Sequence, residues 1–148
     1  MTRAELLTFL RSHRHAVEAS SSTRGHPQAA IVGVAVSDDF ELIFDTLTST
    51  RKWKNLHQNP AVALVFGGSA VGEERTVQYE GVADEPTGEE RAALLRLYFA
   101  TFADGRQRQA WPSLGYVRVK PTWLRWSDYG KTRPQTLEFT AEQLRALE

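Results

Sequence analysis

The stretch Leu42-Ile43-Phe44-Asp45-Thr46-Leu47-Thr48-Ser49-Thr50-Arg51-Lys52-Trp53-Lys54-Asn55-Leu56-His57-Gln58-Asn59-Pro60 passes from an apolar strand, through small hydroxyl residues, into a basic helix start. The first N–H groups of a helix have no partner within it and the helix dipole is positive there, so an anion is favoured at that end. Arg51 and Lys52 add two formal charges, the first able to grip phosphate oxygens bidentately and the second acting as a point charge. Three basic residues on a helix ordinarily make a solvated face. Here Thr46, Thr48, Ser49 and Thr50 supply more donors than a connecting loop needs, and Asn59-Pro60 stops the helix after about two turns. A short helix between apolar strands, with its charge at the start, is built for a phosphate.

Outward from this unit the chain alternates strands with a few helices. Downstream, Ala61-Val62-Ala63-Leu64-Val65-Phe66 is an apolar run ended by Gly67-Gly68, and Arg75 to Ala83 is rich in strand formers, closed by Asp84-Glu85-Pro86. Upstream, Ala16 to Ser22 reads as a first strand. The turn residues Arg24-Gly25-His26-Pro27 precede a second from about Gln28 to Val36, and Ser37-Asp38-Asp39 turns the chain into Leu42 to Thr46. Thr2-x-x-Glu5, Thr87-x-x-Glu90 and Thr140-x-x-Gln143 have the form of capping boxes opening helices. Leu114 to Val119 and Thr122 to Ser127 form a last strand pair with a bend at Lys120-Pro121. Six or seven closely spaced strands with inserted helices predict a mainly β, α+β fold: an antiparallel barrel with peripheral helices rather than a doubly wound parallel sheet.

A length of 148 residues predicts one domain. The 18 Lys+Arg balance 18 Asp+Glu, so a general nucleic-acid or anionic-membrane binder is not expected and any anion must be held locally. The chain has no cysteine, which removes disulfides, thiolate nucleophiles and cysteine metal sites. Met1-Thr2-Arg3-Ala4-Glu5 does not open a signal peptide and no apolar run reaches membrane-spanning length, so a cytoplasmic location is expected.

The order of elements, with Thr46 before Thr50-Arg51-Lys52 and Asn55-Leu56 before Asn59-Pro60, resembles the pyridoxamine 5'-phosphate oxidase-like flavoproteins, the FMN-binding split barrels, and in particular their short, general-stress-type members. The resemblance covers roughly residues 1 to 128 and extends to the ending Tyr116 to Tyr129. It implies a single split-barrel domain, its barrel over about 14–128 with a tail at 129–148. It implies FMN with its phosphate against Arg51 and Lys52, and with Asp45, Thr46 and Thr50 beside it. The flavin ring is expected along Ala30 to Val34, with Val32 and Gly33 in contact; an isolated strand Gly equally serves packing. Thr76 falls where the family's oxidases carry a Gln that reaches the flavin, and a Thr has less reach. Homodimers with flavin at the interface are implied, and relatives hold a deazaflavin or haem in the same barrel.

Trp111, in a polar loop, is a candidate to cover the ligand. Arg106 and Arg108 are weaker candidates for an anion, and Arg125 is a candidate cofactor contact or half of a structural ion pair. The four histidines form no metal or nucleophile pattern, and no Gly-x-Ser-x-Gly elbow is present. With FMN carrying the electron chemistry, the expected function is a flavin-dependent oxidoreductase acting on a small organic substrate. A non-catalytic flavin-binding sensor, carrier or stress protein is the alternative. The ending Glu138 to Glu148 does not resemble the Arg- and His-rich region with which the family's oxidases grip a substrate phosphate, so their specific reaction on pyridoxamine or pyridoxine phosphate is not the one expected.

Overall fold

The computed structural model describes every residue from Met1 to Glu148. Helix α1 (Arg3–Ser12) starts at a formed capping box, with Thr2 accepting from the Glu5 N–H and Glu5 reaching back to the Thr2 N–H, and it buries Leu6, Leu7, Phe9 and Leu10. Then follow β1 (His15–Ser21), β2 (Pro27–Gly33), β3 (Ala35–Val36) and β4 (Leu42–Leu47). Helix α2 (Arg51–Gln58) leads to β5 (Ala61–Gly67) and β6 (Arg75–Asp84). The chain continues as α3 (Gly88–Thr101), α4 (Gly105–Arg108), β7 (Leu114–Asp128), β8 (Gln135–Thr140) and α5 (Ala141–Ala146).

All strand pairs are antiparallel and belong to one sheet, in the order β2-β1-β5-β6-β7-β4-β3, with β8 added beside β7. The sheet curls until β2 approaches β4, which makes a split barrel. Its interior is one cluster that includes Phe44, Leu64, Phe66, Val77, Tyr79 and Leu124, with α1 over one end. A smaller cluster of Ala35, Ile43, Leu94, Tyr98 and Tyr116 seats α3 on the outer face of β3 and β4. No helix is long and apolar enough to cross a membrane.

The structure departs from the sequence expectations at four places. The run from Gln28 divides, because Val34 leaves the β1 ladder, where its N–H bonds to the Arg14 carbonyl, before β3 joins β4. The expected last strand pair is one continuous strand, β7, since the register shifts opposite Glu80/Gly81 and Pro121, which has no N–H to give, sits at that irregularity. Thr87 opens α3 without a side-chain cap, so that capping box does not form. The tail contributes β8, which pairs along Trp123 to Asp128, before the capping box of Thr140 and Gln143 opens α5.

Candidate functional site

Helix α2 is held at the mouth of the barrel by its own start. The Thr50 hydroxyl accepts from the Trp53 N–H at 3.2 Å and donates to the Leu47 carbonyl at 2.9 Å, while the Thr46 hydroxyl lies 3.2 Å from it. These hydroxyls are thereby committed to capping, and Thr46 and Thr50 frame the site rather than offer free donors. The Trp53 ring covers the backbone of Gly115 on β7, where a Cβ would overlap it. The start of the helix is thus fixed against the end of β4 and the beginning of β7.

Two cations stand at this fixed end. Arg51 is exposed, and neither it nor Lys52 is ion-paired within the chain. Lys52 is only 7% exposed, turned inward with its ammonium 6.0 Å from the centre of the Phe44 ring. An ammonium without a partner, on a side chain this nearly buried, favours an anion that comes to it. Beneath it on β1 lies Glu18, 0% exposed, with neither carboxylate oxygen hydrogen-bonded. Burial pushes its pKa up; the nearby Ser20 hydroxyl and the Lys52 charge pull it part of the way back. Asn55 faces the same space, its amide 3.4 Å from the Ser20 hydroxyl and 3.5 Å from the Gln28 side-chain oxygen.

The other candidates divide. Val32 points into the core, and the space beside Gly33 is taken by Phe102, whose ring would come within 2.9 Å of a Cβ there, so Gly33 serves packing in this chain. Asp45 faces away from Thr46, as alternation along β4 requires, and accepts from the Arg108 guanidinium at 2.9 Å. Its side chain is therefore not among the groups around Arg51 and Lys52. Arg108 also bonds to Asp104 and to the Tyr98 hydroxyl and is committed there, whereas Arg106 is exposed, lies over the Phe99 ring and has no ion-pair partner. Trp111 is 53% exposed just beyond α4. Arg125 stands beside Glu138 of β8 at 3.8 Å, the ion-pair alternative.

Thr76 pairs with Gly67 and Ser127, and Arg125 pairs with Gln78. Along β5 the Thr76 row lies at Gly67 and the Arg125 row at Val65, next to the Leu64 row that carries Glu18.

Glu18 escaped sequence reasoning because Val17-Glu18 reads as Val in, Glu out; the structure reverses it, with Val17 43% exposed. Val17 stands in a cross-strand row with Ile31 of β2 and Val65 of β5, all on the outer face of the sheet.

At the far end of α2 the His57 Nε2 lies 2.5 Å from Glu85 and its Nδ1 2.8 Å from the Trp53 carbonyl. A carbonyl and a carboxylate both accept, so the ring is satisfied on both sides only as an imidazolium, and the Glu85 bond, then the Trp53 carbonyl, raise its pKa. Because the folded value lies above the unfolded one, this pair stabilises the fold below about pH 6 and the contribution fades as pH rises through the folded pKa. Glu85→Gln is expected to lower Tm at about pH 6 and to leave it unchanged at about pH 9. Both side chains are substantially exposed, so the effect is under about 1 kcal/mol. Thermal unfolding of both proteins across that range is the check.

Residues 2–127 match the family model described as pyridoxamine 5'-phosphate oxidase. A pyridoxine/pyridoxamine 5'-phosphate oxidase of Rubrobacter xylanophilus is 36% identical over 97 residues, covering 66% of this chain and 42% of that protein. The chain thus spans under half the length of the curated relative it matches. Among solved structures, a heme binding protein from Mycobacterium smegmatis superposes with a TM-score of 0.84 at 20% identity, over 99% of this chain and 60% of the other. A pyridoxamine 5'-phosphate oxidase-related, FMN binding protein from Nostoc punctiforme gives 0.68 at 14% identity, over 93% and 87%. At these identities the likeness is one of fold.

Proposed function

Because the chain belongs to the pyridoxamine 5'-phosphate oxidase family, we propose that it binds FMN with the phosphate at the start of α2, and that it is a flavin-dependent oxidoreductase acting on a small organic substrate. The observation that carries this reading is Lys52: a nearly buried side chain whose ammonium has no ion-pair partner, beside an exposed and equally unpaired Arg51, at a rigidly capped helix start. That donor set fits a phosphate monoester. FMN, when bound, supplies the electron chemistry, and the residues of the chain hold and orient it.

The reading includes a homodimer. In such a dimer the flavin lies at the interface, and a second copy can bring its own Thr76 and Arg125 to the site. The exposed row Ile31–Val17–Val65, with Ile31 73% exposed, is the apolar face such a partner would cover.

The test is the visible spectrum of the purified protein before and after addition of FMN and desalting, with sedimentation of the same sample. A retained flavin spectrum on a dimer is the expected result. A Soret band would favour haem, whose binding is named for a structural neighbour, and retention of a deazaflavin alone would replace FMN. Reduction of the bound flavin by nicotinamide donors and reoxidation by a substrate would separate an oxidoreductase from a carrier or sensor.

A further inference from the structure

A carboxylate buried directly behind a phosphate site opposes the anion it is meant to receive, and Glu18 is such a carboxylate. It projects into the barrel from the middle of β1, 0% exposed, and both its oxygens lack a hydrogen-bond partner. The groups turned toward it are Ala30 across the β2 ladder, Leu64 across the β5 ladder, Ser20 on its own strand and, from α2, Asn55 and Lys52. Lys52 is the one charge among them. A buried carboxylate without partners and the ammonium of a nearly buried side chain act on one another by proximity alone, since they form no direct ion pair.

Resting on the phosphate reading above, we propose that Glu18 is a positioning residue for the flavin phosphate: its carboxylate is the counter-charge that keeps Lys52 turned inward when the site is empty, and a phosphate that claims Lys52 leaves Glu18 to take up a proton. The exchange balances. A phosphate dianion enters, its charge is met by Lys52 and Arg51, and one proton from solvent neutralises the carboxylate that has lost its counter-charge. Burial already disfavours the charged form of Glu18, so losing the Lys52 field tips it toward the neutral acid.

Linkage gives the sign. If binding takes up a proton at Glu18, affinity falls as pH rises between the pKa of Glu18 in the free protein and its higher value in the complex, by up to about tenfold per pH unit. The experiment is FMN titration by flavin fluorescence, from about pH 5 to 9, on the wild-type protein and Glu18→Gln. The phosphate's own ionisation near pH 6 is common to both and drops out of their ratio. The expected result is that E18Q binds more tightly than wild type at high pH and that the two converge as pH falls. Parallel profiles that bind FMN would overturn the role of Glu18 while leaving the phosphate reading intact. Binding of FMN by neither protein would overturn both. Should E18Q fail to fold, calorimetry of the wild type at about pH 8, in buffers of different ionisation enthalpy, decides the matter. Uptake of a substantial fraction of a proton supports the proposal and none overturns it.

Discussion

Exchange of Arg51 for Ala together with Lys52 for Met is expected to weaken FMN binding by about 10²- to 10⁴-fold, since each charge-assisted phosphate contact contributes about 1.5–3 kcal/mol and every 1.4 kcal/mol is tenfold. Met is chosen at 52 because that side chain is packed inside the barrel mouth; it keeps the apolar stem and removes only the charge. Lys52 should carry the larger share, because its side chain is nearly buried and its charge less screened, whereas Arg51 is solvated and its attraction weakens with salt. The single variants should therefore differ in their salt dependence. Riboflavin, which has no phosphate, is the control ligand, and its affinity should change little. A folded double variant that binds FMN as the wild type does would remove the phosphate from this helix. Circular dichroism before and after the titrations shows whether the fold is kept.

Gly115→Ala is expected to lower Tm by about 2–12 °C. A Cβ there would overlap the Trp53 ring, and forcing atoms into a packed contact costs about 1–3 kcal/mol, each about 2–4 °C in a domain of this size. The ring cannot simply swing aside. Trp53 sits one turn into α2, its N–H is tied to the Thr50 cap, and its partly buried ring packs against the core cluster that also contains Leu56. Relief has to come from moving the helix. The helix start that carries Arg51 and Lys52 would shift with it, so FMN affinity should fall even in the folded fraction. Thermal unfolding and FMN titration of the same preparation check both halves. An unchanged Tm would mean that the contact is loose and that α2 is held chiefly by its cap.

These expectations draw unequally on the sequence. The unit from β4 through α2 to β5 is legible because its signals are local. Thr50 caps the helix, Asn59-Pro60 ends it, and the flanking apolar runs form strands wherever a sheet exists to receive them. The capping boxes at Thr2 and Thr140 formed for the same reason, whereas that at Thr87 did not, with Gly88 at positive φ opening α3. Strand β8 was hidden because Gln135 to Thr140 is almost wholly exposed and carries no alternation; it exists only because the end of β7 offers an unpaired edge.

Sequence by itself determined the antiparallel β architecture, the family, and the capped helix start that carries Arg51 and Lys52, since each rests on neighbours in the chain. Tertiary structure decided the rest. Which face of a strand points inward is a property of how the sheet curls, so Val17 lies outside with Ile31 and Val65 while Glu18 lies inside beneath Lys52. Asp45 belongs to Arg108, and Gly33 to Phe102, because α3 and α4 pack on the outside of the barrel. Charges and cavities of that kind are set by residues distant in sequence, and only closure of the sheet brings them together.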